Sequence, residues 1–291
     1  LIKDDKTPLL NRPIALQLPS GSVFKVVTAT TALETNVVNK DTIINSEGCM
    51  QLSAGIEFCE ADRKILGNLT IKSALSKSSN LFFCRVAMRL NSDADGIRSV
   101  LNYADQYGLG KKTGIDLVGE QVGTLPSPES KKRLLGENWY VGDDCNSVIG
   151  QGLLTVTPIQ MVVTASAINN GGKVLKPHVL RKIEDQNRKT VKEVNSEVLR
   201  ELDVSKTNLD IIKEGMRMAT KEGGSGSQLS NLPGNIIIKT GSADASEIIS
   251  GKRYTGAHSW VIGCFEDQGE NYCFTVMQQW GGRGYRTVPI I

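Results

Sequence analysis

Three β-rich runs crowd the carboxyl end of the chain: "NIIIKTG", "HSWVIGCF" and "YCFTVMQQW", the last two parted only by "EDQGEN". Short β-branched and aromatic runs bounded by Gly, Asn and Asp read as strands, and so brief a polar break makes the second and third an antiparallel hairpin following the first. With the turn centred on "DQGE", Glu266 faces Asn271, and further out Cys264 faces Cys273 on one side of the ladder. The chain is α/β mixed, with strands at its end and helices dominating its middle.

The helices announce themselves by spacing and punctuation. After the turn-forming "LPSG", the stretch "SVFKVVTATTALE" spaces Val23, Val27 and Ala32 as a helix opening at or next to Ser22. "TIKSALSKSSNLFFCRVAMRL" is helical on both sides of a polar knot, and "SVLNYADQYGL" ends at Gly108 and Gly110. "IQMVVTASAINNGG" reads as a buried helix stopped by Asn and Gly, and "NLDIIKEGMRMAT" sets Leu209, Ile212, Met216 and Ala219 on one face. The small-residue loop "KEGGSGSQLSNLPG" reads as flexible punctuation, and "NVVNKDTIINSEGCMQLSAGIEFCEADRKILGN" as loops and small strands.

Composition excludes more than it suggests. At 291 residues, 40% hydrophobic and 22% charged, the chain has an ordinary globular balance rather than a disordered one. A net charge of +3 is too small to mark a nucleic-acid surface. No apolar stretch approaches the roughly 20 residues a membrane helix needs, and the first residues lack the order of a signal peptide. The six cysteines show no Cys-x-x-Cys spacing, so no metal is expected; Cys49 and Cys59 flank a short loop and form a second candidate disulfide beside Cys264 and Cys273. His178 and His258 sit in no catalytic pattern and are read as packing or surface residues.

Three short motifs carry the chemistry. Ser22 and Lys25 form the sole Ser-x-x-Lys of the chain, at a helix start, where this separation stacks both side chains on one face. Burial can lower a lysine's pKa until it acts as a base for a serine nucleophile. Taken alone, the pair is better read as a capping serine and a surface lysine. Ser78 and Asn80, in "SKSSN", offer a hydroxyl that could relay a proton and an amide that could hold a carbonyl, yet both types are equally at home in a cap or turn. Lys-Thr-Gly occurs twice. Lys112-Thr113-Gly114 lies in a turn, whereas Lys239-Thr240-Gly241 ends a buried strand whose edge can receive an extended peptide, with Gly241 leaving room for it. The second copy is the functional one.

Ser-x-x-Lys, Ser-x-Asn and Lys-Thr-Gly in this order are a signature of serine acyl-transfer enzymes. With "LLNRPIALQLPSGSVFK", "LTIKSALSKSSNLFF", "YGLGKKTGIDLVGE", "GTLPS", "IGQGLLTVTPIQM", "INNGGKVLKPHV", "IIIKTGSAD" and "HSWVIG", nearly the whole chain resembles the transpeptidase domain of class B penicillin-binding proteins, most closely the penicillin-binding protein 2 group. The resemblance implies an α+β fold shared with serine β-lactamases, an antiparallel sheet flanked by helices plus a helical subdomain, over residues 1–291. It implies that Ser22 is acylated, Lys25 is its base, Ser78 passes the proton to the leaving amine, Asn80 orients the acyl donor and Lys239 supports the proton network. Thr240 and Ser242, beside Gly241, would bind the donor's terminal carboxylate, and the backbone N–H groups of Ser22 and Ser242 would form the oxyanion hole.

The implied substrate is a peptidoglycan stem peptide ending in D-Ala-D-Ala, with an amine of a second stem peptide as acceptor, β-lactams as covalent inhibitors and no cofactor. Other members of the group imply a glycosyltransferase partner, an anchor ahead of this segment and a site on the extracytoplasmic, periplasmic side of the inner membrane. They also imply a fragment, lacking the first sheet strands before Ser22 and the last helix after "GYRTVPII". A serine β-lactamase or a penicillin-sensing receptor domain would share the motifs. The chain shows no match to the glutamate-bearing deacylation loop of the former, and "GQGLLTVTP" and "GLGKKTGIDL" favour the transpeptidase over both.

Overall fold

A computed structural model describes residues 8–232, 234–249 and 252–291, so Pro233 of the small-residue loop and the first seven residues of the lead fall outside it. The lead runs through a single turn of helix, α1 (Arg12–Ala15), to a 3-10 turn at Gly21–Phe24 and then into α2 (Lys25–Glu34). From Lys25 to Leu33 every residue of α2 is buried, which makes it the central helix of the molecule. Its polar residues are reconciled with that position by local bonding. Thr30 and Thr31 donate to the carbonyls of Val26 and Val27 at 2.9 and 3.0 Å, and Thr28 donates to Val148 O at 2.7 Å.

Beyond α2, strands β1 (Ile44–Ser46), β2 (Cys49–Ser53), β3 (Ile56–Cys59) and β4 (Gly67–Leu69) form two small antiparallel pairs, β1 with β4 and β2 with β3. Cys49 and Cys59 are opposed in the second pair and disulfide-bonded, as the sequence suggests. Helices α3 (Ile71–Lys77) and α4 (Asn80–Asp93) flank the polar knot, and α5 (Ile97–Gln106) follows. Helices α6 (Pro128–Leu135) and α7 (Val141–Ser147) lie in a stretch with no strong apolar periodicity, and α6 is set instead by its ends: a Ser127/Ser130 capping box, Pro128 in the first turn and Gly136 at φ 73° after the last. Cys145 of α7 is bonded to Cys84 of α4, a third disulfide.

Helix α8 (Pro158–Asn169) is the buried helix expected there. Strand β5 (Lys173–Leu175) pairs with β8 (Val198–Glu201), while β6 (Lys182–Glu184) and β7 (Thr190–Glu193) form a solvent-exposed hairpin between them, ahead of α9 (Lys206–Met218). The principal sheet is β9 (Ile237–Ile249), β10 (Lys252–Asp267) and β11 (Glu270–Gln278), antiparallel in the order β11-β10-β9. Its hairpin register is the expected one: Glu266 opposes Asn271, and the opposed Cys264 and Cys273 are disulfide-bonded. Strand β9 runs past Gly241 through "SADASEII", a stretch without the alternation that marks a strand, because β10 pairs with it throughout. A 3-10 helix at Gly284–Ile290 packs against the sheet. Among the described residues no helix is long and apolar enough to cross a membrane.

Candidate active site

The three motifs meet at one cleft of about 780 Å³, where Ser22, Ser78, Asn80, Thr240, Gly241 and Ser242 all contribute to the lining. The 3-10 turn that carries Ser22 is pressed directly onto β9. Gly21, at φ +55°, would put a Cβ 2.3 Å from Ser242 O, and Gly241 would put one 2.9 Å from Ser20 O and 3.0 Å from Val23 N. Both glycines are therefore demanded by contact between the turn and the strand. This corrects the sequence argument for Gly241: it lines the cleft, but what approaches it closely is the Ser22 turn.

Lys25, the first residue of α2, is fully buried behind the cleft and aims Nζ at the polar knot. It donates to Ser78 O and to Asn80 Oδ1, each at 2.7 Å, and sits over the Phe83 ring at 5.7 Å. The knot is shaped to receive it. Helix α3 ends at Ser78 in the left-handed region (φ 61°, ψ 38°), Ser79 accepts from Phe82 N as N-cap of α4, and Asn80 opens that helix. A non-glycine residue held at positive φ costs about 1–3 kcal/mol and persists where its surroundings enforce it. Ser78, Ser79 and Asn80 thus serve as cap and turn and at the same time stand against Lys25 at the cleft.

Lys239 leaves the buried Ile237–Ile238 run of β9 and is itself fully buried. Its Nζ donates to Ser78 Oγ at 2.8 Å and to Thr240 O at 2.7 Å. Ser78 is thus held twice, by Lys25 at its carbonyl and by Lys239 at its hydroxyl. Burial pushes the Lys25 ammonium down to about 7, against the opposing charge of Glu60. Burial, and then the charge of Lys25, hold Lys239 well below its ordinary value. A neutral amine has two N–H donors and one lone pair. In Lys25 both donors are spoken for by Ser78 and Asn80, so the lone pair is what remains to take a proton; no hydrogen bond joins Lys25 to Ser22 in this state.

Several residues that the motifs do not contain complete the cleft. Ser225, in the loop read as punctuation, accepts from Thr240 Oγ1 at 2.8 Å, while its N–H donates to Ser76 O at 3.0 Å; that loop is a wall of the site. Gly284 N donates to Ser242 Oγ at 2.8 Å. Gln151 reaches β9 from the opposite side, donating to Ser242 O at 3.4 Å and accepting from Asp244 N at 3.3 Å. Arg283 and Asp62, both lining the cleft, form an ion pair at 2.5 Å. Glu60, almost fully buried, accepts from Ser46, Ser79, Asn80 and Leu81. Lone residues in irregular loops leave no periodic or spaced signal that marks them as parts of a site.

The first Lys-Thr-Gly takes no part in the cleft. Lys112 is exposed, and Thr113 N and Oγ1 both donate to Glu120 Oε1, at 2.6 and 2.5 Å, closing a structural loop. Neither histidine enters the cleft: His178 Nδ1 lies 2.9 Å from Leu180 O, and His258 packs edge-on against Trp280. Cys49, Glu57 and Cys59 cluster closely enough to suggest a metal site, but both cysteines are committed to a disulfide.

Comparison with known proteins agrees with this geometry. The family described as "Penicillin binding protein transpeptidase domain" matches residues 2–289. The chain is 31% identical over 258 residues to the peptidoglycan D,D-transpeptidase MrdA of Escherichia coli K12, covering 87% of this chain and 40% of that protein. It superposes on penicillin-binding protein PBP2 of Pseudomonas aeruginosa, solved in complex with WCK 5153, with a TM-score of 0.84 at 23% identity, over 100% of this chain and 60% of the other. On Helicobacter pylori PBP2, solved in complex with MreC, the TM-score is 0.83 at 23% identity, over 99% and 50% of the two chains. The chain thus spans about two fifths of the length of the curated relative.

Proposed function

The chain belongs to the penicillin-binding protein transpeptidase family, and on that premise we propose that it is a catalytic domain, residues 1–291, that cross-links peptidoglycan through an acyl-enzyme on Ser22. The observation that carries the reading is Ser78 held between two buried lysines at the cleft that Ser22 lines. In the proposed reaction the Ser22 hydroxyl attacks the carbonyl carbon between the two terminal D-alanines of a stem peptide. Its proton passes to the neutral amine of Lys25. The C–N bond breaks, the departing D-alanine amine takes a proton by way of Ser78 Oγ, and Lys239 holds that hydroxyl in place.

Asn80, beside the Lys25 amine, orients the donor, and Thr240 and Ser242 bind its terminal carboxylate. The N–H groups of Ser22 and Ser242 stabilise the oxyanion, a contribution typically worth about 3 kcal/mol per donor removed. An amine of a second stem peptide then attacks the ester, forming the cross-link and returning the proton to Ser22. A β-lactam enters the first half of this cycle and stays.

Three disulfides support an oxidising compartment, and we take the domain to work on the extracytoplasmic side of the bacterial inner membrane. A glycosyltransferase that supplies nascent strands is the expected partner, and the MreC complex of the Helicobacter pylori relative makes a scaffold protein a second one to test. The deciding experiment is incubation with labelled penicillin and with a D-Ala-D-Ala-type thioester donor plus an amine acceptor. A stable adduct mapped to Ser22, lost in Ser22→Ala, with amide formed from the donor, is expected. Rapid release of hydrolysed penicillin would instead mark a β-lactamase, and an adduct on another serine would overturn the assignment.

A further inference from the structure

Glu60 directly follows β3, and the hydrogen bonds its carboxylate accepts come from Ser46 of β1, from the polar knot and from the first turn of α4. Oε1 accepts from Ser46 Oγ at 2.8 Å, from Leu81 N at 3.1 Å and, closely, from Ser79 Oγ; Oε2 accepts from Asn80 N at 2.6 Å. Three consecutive residues, Ser79 and Asn80 of the knot and Leu81 just beyond it, thus converge on one carboxylate. Ser79 Oγ takes the Phe82 N–H at 3.0 Å, and the carboxylate takes the two N–H groups before it, so Glu60 caps α4 as well as touching the site. Asn80 joins the carboxylate to the amine: its N–H donates to Glu60 while its Oδ1 accepts from Lys25. The remaining Asn80 donor, Nδ2, is tied to Cys59 O at 3.2 Å, next to Glu60 in the chain.

We infer that Glu60 is a positioning residue for this site: its carboxylate clamps Ser79, Asn80 and Leu81, which hold the amide of Asn80 in register with Lys25, and supplies the negative charge that acts on the Lys25 amine. The inference rests on the role of Lys25 proposed above. Two charged groups act on that amine, Glu60 from the β3 loop and Lys239 from β9, with the Phe83 ring of α4 on a third side. Glu60 works against burial, so it keeps the amine basic enough to receive the serine proton near neutral pH. Without it the amine would be neutral over a wider range but a weaker base.

The test measures second-order acylation of the full chain by a fluorescent penicillin across the neutral pH range. Glu60→Gln keeps the shape and loses the charge. It is expected to acylate at least about tenfold more slowly, since a hydrogen bond to a charged group is lost, and its acid limb should move to lower pH. Glu60→Asp, which keeps the charge, should leave the limb near its parent position. An unchanged rate in Glu60→Gln, or a slower rate with the limb unmoved, would overturn the inference, because a merely structural clamp would not shift the profile. Should circular dichroism show Glu60→Gln to be unfolded, Ser46→Ala decides. It strips one donor from the carboxylate, leaves its charge less compensated and should move the limb to higher pH; an unmoved limb overturns the inference. A parent chain that penicillin fails to label, or labels equally in Ser22→Ala, would bring down the proposed function and this inference with it. A parent labelled at Ser22 beside an indistinguishable Glu60→Gln would bring down the inference alone.

Discussion

Two ammonium groups sharing Ser78 inside a buried pocket repel one another and lack the water that would screen them. With Lys25 held to about 7 mainly by burial, the amine is protonated below that pH and cannot accept the Ser22 proton; above it the lone pair is available. Acylation by penicillin should therefore rise with pH through about 7 and level off above it, and a profile flat across that range would remove Lys25 as the base. Lys25→Ala should cut the rate by roughly two or more orders of magnitude, the usual reach of a positioned base. The duplicated triplet gives an internal control. Lys239→Ala removes the donor to Ser78 Oγ and should cripple acylation, whereas Lys112→Ala alters an exposed side chain and should change the rate little. Its effect on stability should stay within about 0.5 kcal/mol, as is usual for surface substitutions. Kinetics of the two variants side by side would expose a wrong choice of copy by reversing that order.

Among the elements, disulfides separate what a linear pattern can and cannot reveal. Cys264 and Cys273 are opposed by a hairpin register readable from one polar turn, and Cys49 and Cys59 by a short loop. Cys84 and Cys145 lie on α4 and α7, 61 positions apart in the sequence, and no local rule brings two helices together. Mass analysis of unreduced protein is expected to find no free thiol, and the Cys84→Ser, Cys145→Ser double variant should lose about 2–4 kcal/mol, read as a lower urea midpoint. An unchanged midpoint would show that this bridge contributes nothing. The same divide runs through the site. Ser22, Lys25, Ser78, Asn80, Lys239 and Thr240 could be found because spacing or a strand end fixes their geometry locally. Glu60, Ser225, Gln151 and Arg283 could not, because each reaches the cleft from an irregular loop whose path is decided by packing elsewhere. The loop at 221–234 misled for a related reason: its glycines and serines describe a chain without side-chain anchors, yet Ser225 is anchored through its backbone and hydroxyl.

At the scale of the whole molecule, the weak point is the free side of the principal sheet. Among the described residues the strand order ends at β11, and beside it α1 and α8 leave a groove of about 600 Å³ lined by Pro13, Pro158, Ile159, Val162, Val276 and Met277. Thr275, in the middle of β11, has a buried hydroxyl with no hydrogen-bond partner. An edge strand with unpaired backbone groups and an apolar flank is a template for another strand, and a buried polar group left unsatisfied costs roughly 1–3 kcal/mol. The chain should therefore self-associate with rising concentration. Light scattering should detect the association, and Tyr272→Lys, at a half-exposed position of β11, should suppress it, since a lysine on an exposed edge disfavours strand addition. Acylation at Ser22 should survive that change, because β11 lies on the far side of β10 from the cleft-lining strand β9. A chain that stays monomeric at every concentration and unfolds in one sharp transition would show that the open edge carries no such cost.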